Sequence, residues 1–288
     1  MLSIRRVLAP NPGVFTLEGT NTWIVGGEPT IVIDPGPDIR EHLSDVARAA
    51  GRVAAVVVTH DHPDHAPGAV PFARLVEAPV YAVRLAGAES LRAGQRIRAG
   101  ALELVAVATP GHTADHVAFH DAGTGALFTG DAVLGRGTSF IDPPGGNLVH
   151  YLRSLHRMRE LEPRTIYPGH GPVVLRAMEK LREYLDHREE REVQILAALT
   201  GDPRTIPEIV AEVYAEYPKE VRPLAERSVL AHLLKLADEG RVDRMGTAGD
   251  GAWHASTPRT CERCGRRPVK GKARYCGSCS LAMLQGEG

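Results

Sequence analysis

A short segment in the first quarter of the chain concentrates side chains that bind metal ions. Residues 59–65 read THDHPDH, directly after the apolar run VAAVVV at 53–58. Imidazole and carboxylate groups are preferred ligands of zinc and related divalent ions, and a turn leaving a strand end can aim alternate side chains into one cavity. The candidate ligands in this loop are His60, His62, Asp64 and His65. We expect the first two to bind one metal ion and the last two to bind a second.

Three later turns each follow an apolar run and end in a further candidate ligand. They read TPGH, TGD and YPGH, and they end at His112, Asp131 and His170. In α/β proteins, functional sites collect where strands end. One such turn is a weak signal, but the ordered set predicts a single site shared with the first loop and argues against a polar loop that happens to be histidine-rich.

The order HxHxDH, His, Asp, His resembles that of the metallo-β-lactamase fold superfamily of binuclear metal hydrolases. The resemblance covers residues 10 to 175, fills all seven ligand positions and implies a four-layer αββα sandwich. It assigns His60, His62 and His112 to one ion and Asp64, His65 and His170 to the second, with Asp131 bridging the two.

The resemblance also implies a mechanism. Two divalent ions lower the pKa of a shared water, so that a metal-bridging hydroxide exists at neutral pH, and one ion polarises the scissile bond. Asp64, which can orient that nucleophile, and Asp131 are therefore the expected catalytic residues. The expected cofactors are two Zn²⁺, with iron or manganese as alternatives.

Two further polar residues accompany this pattern. Asp34, in VIDPGPD, matches an aspartate that supports the site in the resembled family, and its alternative role is that of a turn former before Pro35. Metal-bound imidazoles need an acceptor for their other N–H, which favours the supporting role. For His116, in GHTADH, lining of the substrate cleft and a purely structural role both stay open.

The pattern of strands and helices that must position these residues is typical of an α/β layer protein. Eight short apolar or β-branched runs alternate with helical stretches between Asn21 and Leu175, and several are apolar throughout, as strands buried on both faces are. The runs are TWIVGG, TIVID, VAAVVVT, PVYAV, LELVAVAT, HVAFHD, ALFTGD and RTIYPG. Two stacked sheets flanked by helices would bury them.

A small helical unit follows the α/β part. Residues 205–208 read TIPE, a capping box with proline at the helix start, and a second apolar stripe precedes Gly240. Its residues are Leu230, Leu233, Leu234 and Ala237. A hairpin over 242–254 completes the order of a winged helix. We therefore expect a hydrolase domain at 1–180, a winged-helix-like domain at 181–256 and a tail at 257–288.

All four cysteines lie in the tail as two CxxC pairs, at Cys261, Cys264, Cys276 and Cys279. Four thiolates at this spacing predict one structural Zn²⁺ in a zinc ribbon, although the eleven-residue spacer is shorter than usual. The tail holds seven Lys and Arg against two Glu, a net +5 in a chain of −1. Contact of this tail with single-stranded RNA and a role as a solvated or docking module both stay open.

The composition argues against a largely disordered chain and against a membrane-spanning protein. The chain has 288 residues, 43% hydrophobic and 24% charged, which is ordinary for a globular protein. The start lacks an apolar signal region, and the longest aliphatic run, at 53–58, cannot cross a bilayer. We expect a cytoplasmic protein without membrane contact. Its oligomeric state is not readable from these residues.

Within the superfamily, the opening NPGVFTLEGTNTWIVG, the IDPGP turn and TPGHTADH resemble the β-lactamase-like protein 2 group, whose metal site is like that of glyoxalase II. Only 38 residues separate Asp131 from His170, which excludes the large inserted domain of the processing nucleases. Asp131 also stands where β-lactamases of this fold lack an aspartate.

We therefore expect a hydrolase of a small acyl thioester or related ester. Single-stranded RNA cleavage is the alternative activity. A nucleic-acid-binding protein with a scaffold metal domain is the alternative of another class.

Overall fold

The computed structural model describes residues 2–246 and 251–256. Contacts between residues divide the chain into two compact units, one of residues up to Asp186 and one from His187 onward. The four cysteines of the predicted zinc ribbon lie outside the described residues. The domain boundaries expected at 180 and 256 stay predictions.

The first unit contains two β-sheets. Strands β1 (Ile4–Leu8), β2 (Asn21–Val25), β3 (Thr30–Ile33), β4 (Val53–Val57), β5 (Val80–Ala82) and β6 (Glu89–Ser90) form the first in this spatial order. Strands β7 (Arg96–Ala99), β8 (Leu102–Ala108), β9 (Val117–Asp121), β10 (Ala126–Gly130) and β11 (Thr165–Pro168) form the second, in the order β11-β10-β9-β8-β7. From β3 to β6 the first sheet is parallel, and in the second only β10 and β11 pair in parallel.

The main core lies between the two sheets. Trp23, Ile33 and Val57 of the first sheet belong to one buried cluster with Leu104 and Phe128 of the second. Strands β2 and β3 have every residue buried, because the other face of the first sheet is covered as well. This burial explains the continuous apolar runs in the sequence.

Helices cover the outer faces of the sheets. Helices α1 (Arg40–Ala50) and α2 (Ala69–Val76) pack on the first sheet, where Leu43 and Phe72 join its outer-face residues in a second cluster. Helix α3 (Leu148–Glu160) packs beside the second sheet, and its Tyr151 hydroxyl donates to the Ala132 carbonyl at 2.7 Å. The layers therefore run helix, sheet, sheet, helix, as predicted.

The described part of the second unit consists of helices followed by a hairpin. Helix α4 (Ala177–Ala198) runs into it and is followed by α5 (Ile206–Val213), a 3₁₀ turn (Lys219–Val221), α6 (Arg222–Asp238), β12 (Val242–Met245) and β13 (Ala252–Ala255). The predicted capping box at the start of α5 is present. Val229, Leu233 and Trp253 share its core.

Two predictions about the elements need correction. Leu234 was expected on the buried stripe of α6 but is 41% exposed, and Leu236 takes its place in the core. Strands β1, β6 and β7 were not predicted, because they lie at sheet edges and six of their eleven residues are polar. Across the described residues, helices that are both long and apolar enough to cross a membrane are absent.

Candidate metal centre

The structure brings all seven predicted ligand residues into one cavity. The loop after β4 turns back on itself through bonds from the His65 and Ala66 N–H groups to the His62 carbonyl, both 3.0 Å. Turns at the ends of β8, β10 and β11 supply His112, Asp131 and His170. The site therefore forms where strands of both sheets end.

The seven side chains form two groups of donor atoms. His60, His62, His112 and Asp131 make the first group, and Asp64, His65 and His170 make the second. Within each group, the atoms that could bind an ion lie within 4.8 Å of one another.

Asp131 lies between the two groups. Its Oδ1 atom is 3.3 Å from His65 Nε2 and 3.4 Å from His170 Nε2, and its Oδ2 atom is 3.7 Å from His112 Nε2. One carboxylate oxygen thus faces each group. Asp64 closes the second group with its Oδ2 atom 3.0 Å from His170 Nε2.

Four of the five candidate histidine ligands donate a hydrogen bond from Nδ1 to an acceptor on the side away from the cavity. The bonds run from His60 Nδ1 to Thr59 Oγ1 at 2.9 Å, from His65 Nδ1 to Asp34 Oδ2 at 2.8 Å, from His112 Nδ1 to the Phe140 carbonyl at 2.8 Å, and from His170 Nδ1 to the Gly19 carbonyl at 3.1 Å. Such outer bonds fix the ring orientation and leave Nε2 as the free ligand atom.

Asp34 organises the loop from behind. It is buried, and its carboxylate accepts the Thr59 N–H and hydroxyl, both at 2.7 Å, besides the His65 N–H. Because the Thr59 hydroxyl donates to this carboxylate, it can only accept from His60 Nδ1. Asp34 therefore sets the tautomers of His60 and His65. Asp34 therefore occupies the position that its predicted support of the histidine ligands requires.

The donor set fits metal ions and leaves atoms that only a cation or proton would satisfy. His60 Nε2 is buried without a hydrogen-bond partner. His62 Nδ1 and His112 Nε2 lie 3.1 Å apart, and because the Nδ1–H of His112 is used by the Phe140 carbonyl, the proton between the two rings must be on His62 Nδ1 until a metal ion replaces it. Imidazoles with carboxylates are a donor set for divalent zinc, iron or manganese.

The carboxylates make the second group attract positive charge. Burial lowers the pKa of His170, but the charge of Asp131 and hydrogen bonds to Asp131 and Asp64 outweigh it and raise the pKa to about 9. Burial likewise lowers the pKa of His65, and Asp131 and Asp34 together raise it well above its ordinary value. Metal ions would take the place of these protons.

His116 lies beneath the site instead of lining its opening. Its ring is buried, Nδ1 lies 2.8 Å from Thr109 Oγ1, and Nε2 accepts the Asp131 N–H at 3.2 Å. Burial, followed by the charge of His112, lowers the pKa of His116 well below its ordinary value, so the ring is neutral and can accept. His116 therefore positions Asp131 through its backbone.

Gly169 makes room for the bridging carboxylate. A Cβ atom at this position would lie 2.5 Å from Asp131 Oδ1 and 2.7 Å from a carbon of the His65 ring. The PGH turn therefore needs glycine for steric space beside the two groups.

Sequence analysis missed the polar residues that hold the second group from the amino-terminal side. The Asn11 side chain donates to Thr20 Oγ1 and accepts from the Thr20 N–H, both at 2.9 Å, and Thr20 forms an isolated β-bridge with His170. The run LEGTNTW had no spacing signal that could single out Thr20. Only the return of the chain to β11 brings Thr20 to the site.

Comparisons with known proteins agree with this architecture. The model of the metallo-beta-lactamase superfamily matches residues 15–170, and the model of the beta-lactamase associated winged helix domain matches residues 205–253. The crystal structure of the metallo-beta-lactamase family protein TTHA1429 from Thermus thermophilus covers 88% of this chain and 98% of its own, with a TM-score of 0.71 at 24% identity. That of TTHA1623 in a di-iron-bound form covers 61% of this chain and 96% of its own, with a TM-score of 0.51 at 27% identity.

Two curated relatives extend the match along both chains. The beta-lactamase-like protein 2 homolog of Caenorhabditis elegans is 34% identical over 258 residues, 84% of this chain and 86% of the relative. The atrochrysone carboxyl ACP thioesterase of Aspergillus chevalieri is 33% identical over 255 residues, 82% of each chain. Both alignments are longer than the first unit and therefore extend into the second.

Gly169→Ala is predicted to lower the hydrolytic rate by about 100-fold, because the added Cβ displaces Asp131 and His65, and small displacements of reacting groups cost that much. Gly27→Ala is the matched control, since a Cβ there meets nothing within 4 Å. Steady-state rates and melting temperatures of both variants would be compared. Equal rates for the two variants would contradict the steric argument.

His116→Gln is predicted to keep most activity and His116→Asn to lose about tenfold. The glutamine amide reaches the position of Nε2 and can still accept the Asp131 N–H, whereas the asparagine amide reaches only the position of Nδ1. Bound metal and kcat/KM would be measured for both variants. If the two behave alike, the bond to Asp131 has no role in positioning.

Binding of Zn²⁺ is predicted to release protons and to weaken as the pH falls. A pKa of about 9 keeps His170 protonated at pH 7 in the metal-free protein, and the ion must displace that proton. Affinity should fall about tenfold per pH unit for each displaced proton. Competition with a chromophoric chelator between pH 8 and 6 would measure it, and a constant affinity would refute the proton count.

Proposed function

This chain belongs to the metallo-β-lactamase superfamily, and we propose that it is a binuclear metal-dependent hydrolase of an acyl thioester or related ester. The observation that carries the binuclear part is the position of Asp131, with one carboxylate oxygen toward each group of donor atoms. The di-iron form of TTHA1623 supports two ions, and either zinc, iron or manganese suits the donors.

One ion would be held by His60, His62 and His112, and the other by Asp64, His65 and His170. Asp131 would bind both ions. When bound, the two ions would supply a bridging hydroxide at neutral pH and polarise the carbonyl oxygen of the substrate.

The three side chains of the second group differ in how far solvent can reach them. The Asp64 side chain is 24% exposed, whereas those of His65 and His170 are at most 1% exposed. Burial raises the pKa of Asp64, but hydrogen bonds from His170 and His65 outweigh it and hold the pKa below its ordinary value. Asp64 is therefore an ionised carboxylate that solvent can reach, suited to orienting an attacking water.

The thioester substrate is supported by the relative from Aspergillus chevalieri, which is named as a carboxyl ACP thioesterase. Single-stranded RNA cleavage stays the alternative activity, and nucleic-acid binding on a scaffold metal domain stays the alternative of another class. One structural Zn²⁺ at Cys261, Cys264, Cys276 and Cys279 also stays a proposal.

The test is a parallel assay of metal-loaded and chelator-treated protein on an acyl thioester panel, a simple ester and labelled single-stranded RNA. We expect thioester hydrolysis that disappears with the metal. Asp131→Asn should lower kcat/KM by at least about 100-fold, because losing even an outer hydrogen-bond partner of a ligand costs about 10- to 100-fold. Asp45→Asn, on the exposed surface of α1, is the control and should leave the rate unchanged. Metal-dependent RNA cleavage without thioester hydrolysis would overturn the substrate proposal.

A further inference from the structure

Three apolar side chains form a surface group on two segments that adjoin the candidate metal centre. Val14 is 81% exposed and Phe15 is 56% exposed, and Phe140 is half-buried. The rings of Phe15 and Phe140 lie 5.7 Å apart between centroids. We name Val14, Phe15 and Phe140 the apolar rim. A contiguous apolar surface group of this kind marks a binding surface more often than does a single exposed residue.

The exposure of Val14 and Phe15 is built into the backbone. The Gly13 N–H donates to the Leu17 carbonyl at 3.1 Å, and Thr16 Oγ1 donates to the Asn11 carbonyl at 2.6 Å. Leu17 adopts a left-handed conformation with φ 55°, which is costly for a residue with a side chain. These interactions hold Val14 and Phe15 at the tip of a tight loop, so that they cannot fold back into a core.

Each rim segment is tied to one group of candidate ligands. The carbonyl of Phe140 accepts the Nδ1–H of His112, in the first group. The carbonyl of Gly19, two residues after Leu17, accepts the Nδ1–H of His170, in the second. Both rim segments therefore lie directly beside ligand residues, one in each group, and the rings extend from the same segments that hold these ligands.

An ion pair links the two segments that carry the apolar rim. Arg136, four residues before Phe140, forms an ion pair with Glu18 at 2.5 Å. This pair joins the two rim segments, and both of its side chains are more than half exposed. An acyl chain or an aromatic acyl group needs only the apolar surface that the two rings supply.

We propose that Phe15 and Phe140 bind the apolar part of the acyl group, so that the protein prefers long or aromatic acyl thioesters over acetyl thioesters. The inference rests on the proposed function for its hydrolytic readout. The preference arises because a longer acyl chain buries more apolar area on the two rings.

The experiment uses the metal-loaded full chain and N-acetylcysteamine thioesters with acetyl, butyryl, octanoyl and benzoyl groups. The wild type should show a kcat/KM that rises with acyl size. In Phe15→Ala and in Phe15→Ala/Phe140→Ala the ratio of octanoyl to acetyl kcat/KM should fall about tenfold. Leu75→Ala removes an apolar side chain of similar exposure, 57%, from α2 and should leave the ratio unchanged.

A second readout does not depend on hydrolysis. Calorimetry would measure binding of the octanoyl amide analogue, in which NH replaces the thioester sulfur, and melting temperatures would confirm folding. Hydrolysis with no acyl preference, or a preference that survives both variants, overturns the inference and leaves the proposed function standing. Analogue binding that depends on Phe15 without thioester hydrolysis supports the rim and overturns the proposed function. Loss of single-stranded RNA binding in the variants, with analogue binding intact, would make the rim a base-stacking surface and overturn the inference.

Discussion

The buried carboxylate of Asp34 imposes the order on which the site depends. It accepts three hydrogen bonds, two from Thr59 and one from His65, and through the Thr59 hydroxyl it also fixes the ring of His60. A carboxylate left without these donors would be costly to bury, so the loop after β4 has one favourable conformation. The same interaction that stabilises the loop leaves the Nε2 atoms of two imidazoles free to bind an ion.

Asp131 completes the arrangement from the opposite sheet. His116 accepts its backbone N–H from below, and Gly169 leaves space for its carboxylate. The donors of the two groups come from loops that follow β4, β8, β10 and β11, and the core between the sheets keeps these strand ends together. The second unit has its own core, and its sequence matches the winged helix domain associated with this family.

The sequence allowed most of the site to be predicted, because the candidate ligands occupy short turns after buried apolar strands. The eight predicted strands and the capping box of α5 follow from local patterns that the structure confirms. The β-bridge between Thr20 and His170 depends on a return of the chain more than a hundred residues later, which no local pattern encodes. The buried role of His116 likewise depends on the turn after β10, since only there does it meet the Asp131 N–H. The tail of four cysteines lies outside the described residues, and its zinc stays a prediction.

Anomalous X-ray diffraction from crystals of the metal-loaded protein, recorded at the absorption edge of the bound metal, tests the central claim most directly. The account predicts two peaks about 3.5–4 Å apart, on either side of the Asp131 carboxylate. One peak with Asp131 as its ligand and no ion at Asp64, His65 and His170 would contradict the binuclear site. The absence of both peaks under saturating metal would contradict the assignment of the cavity to metal binding.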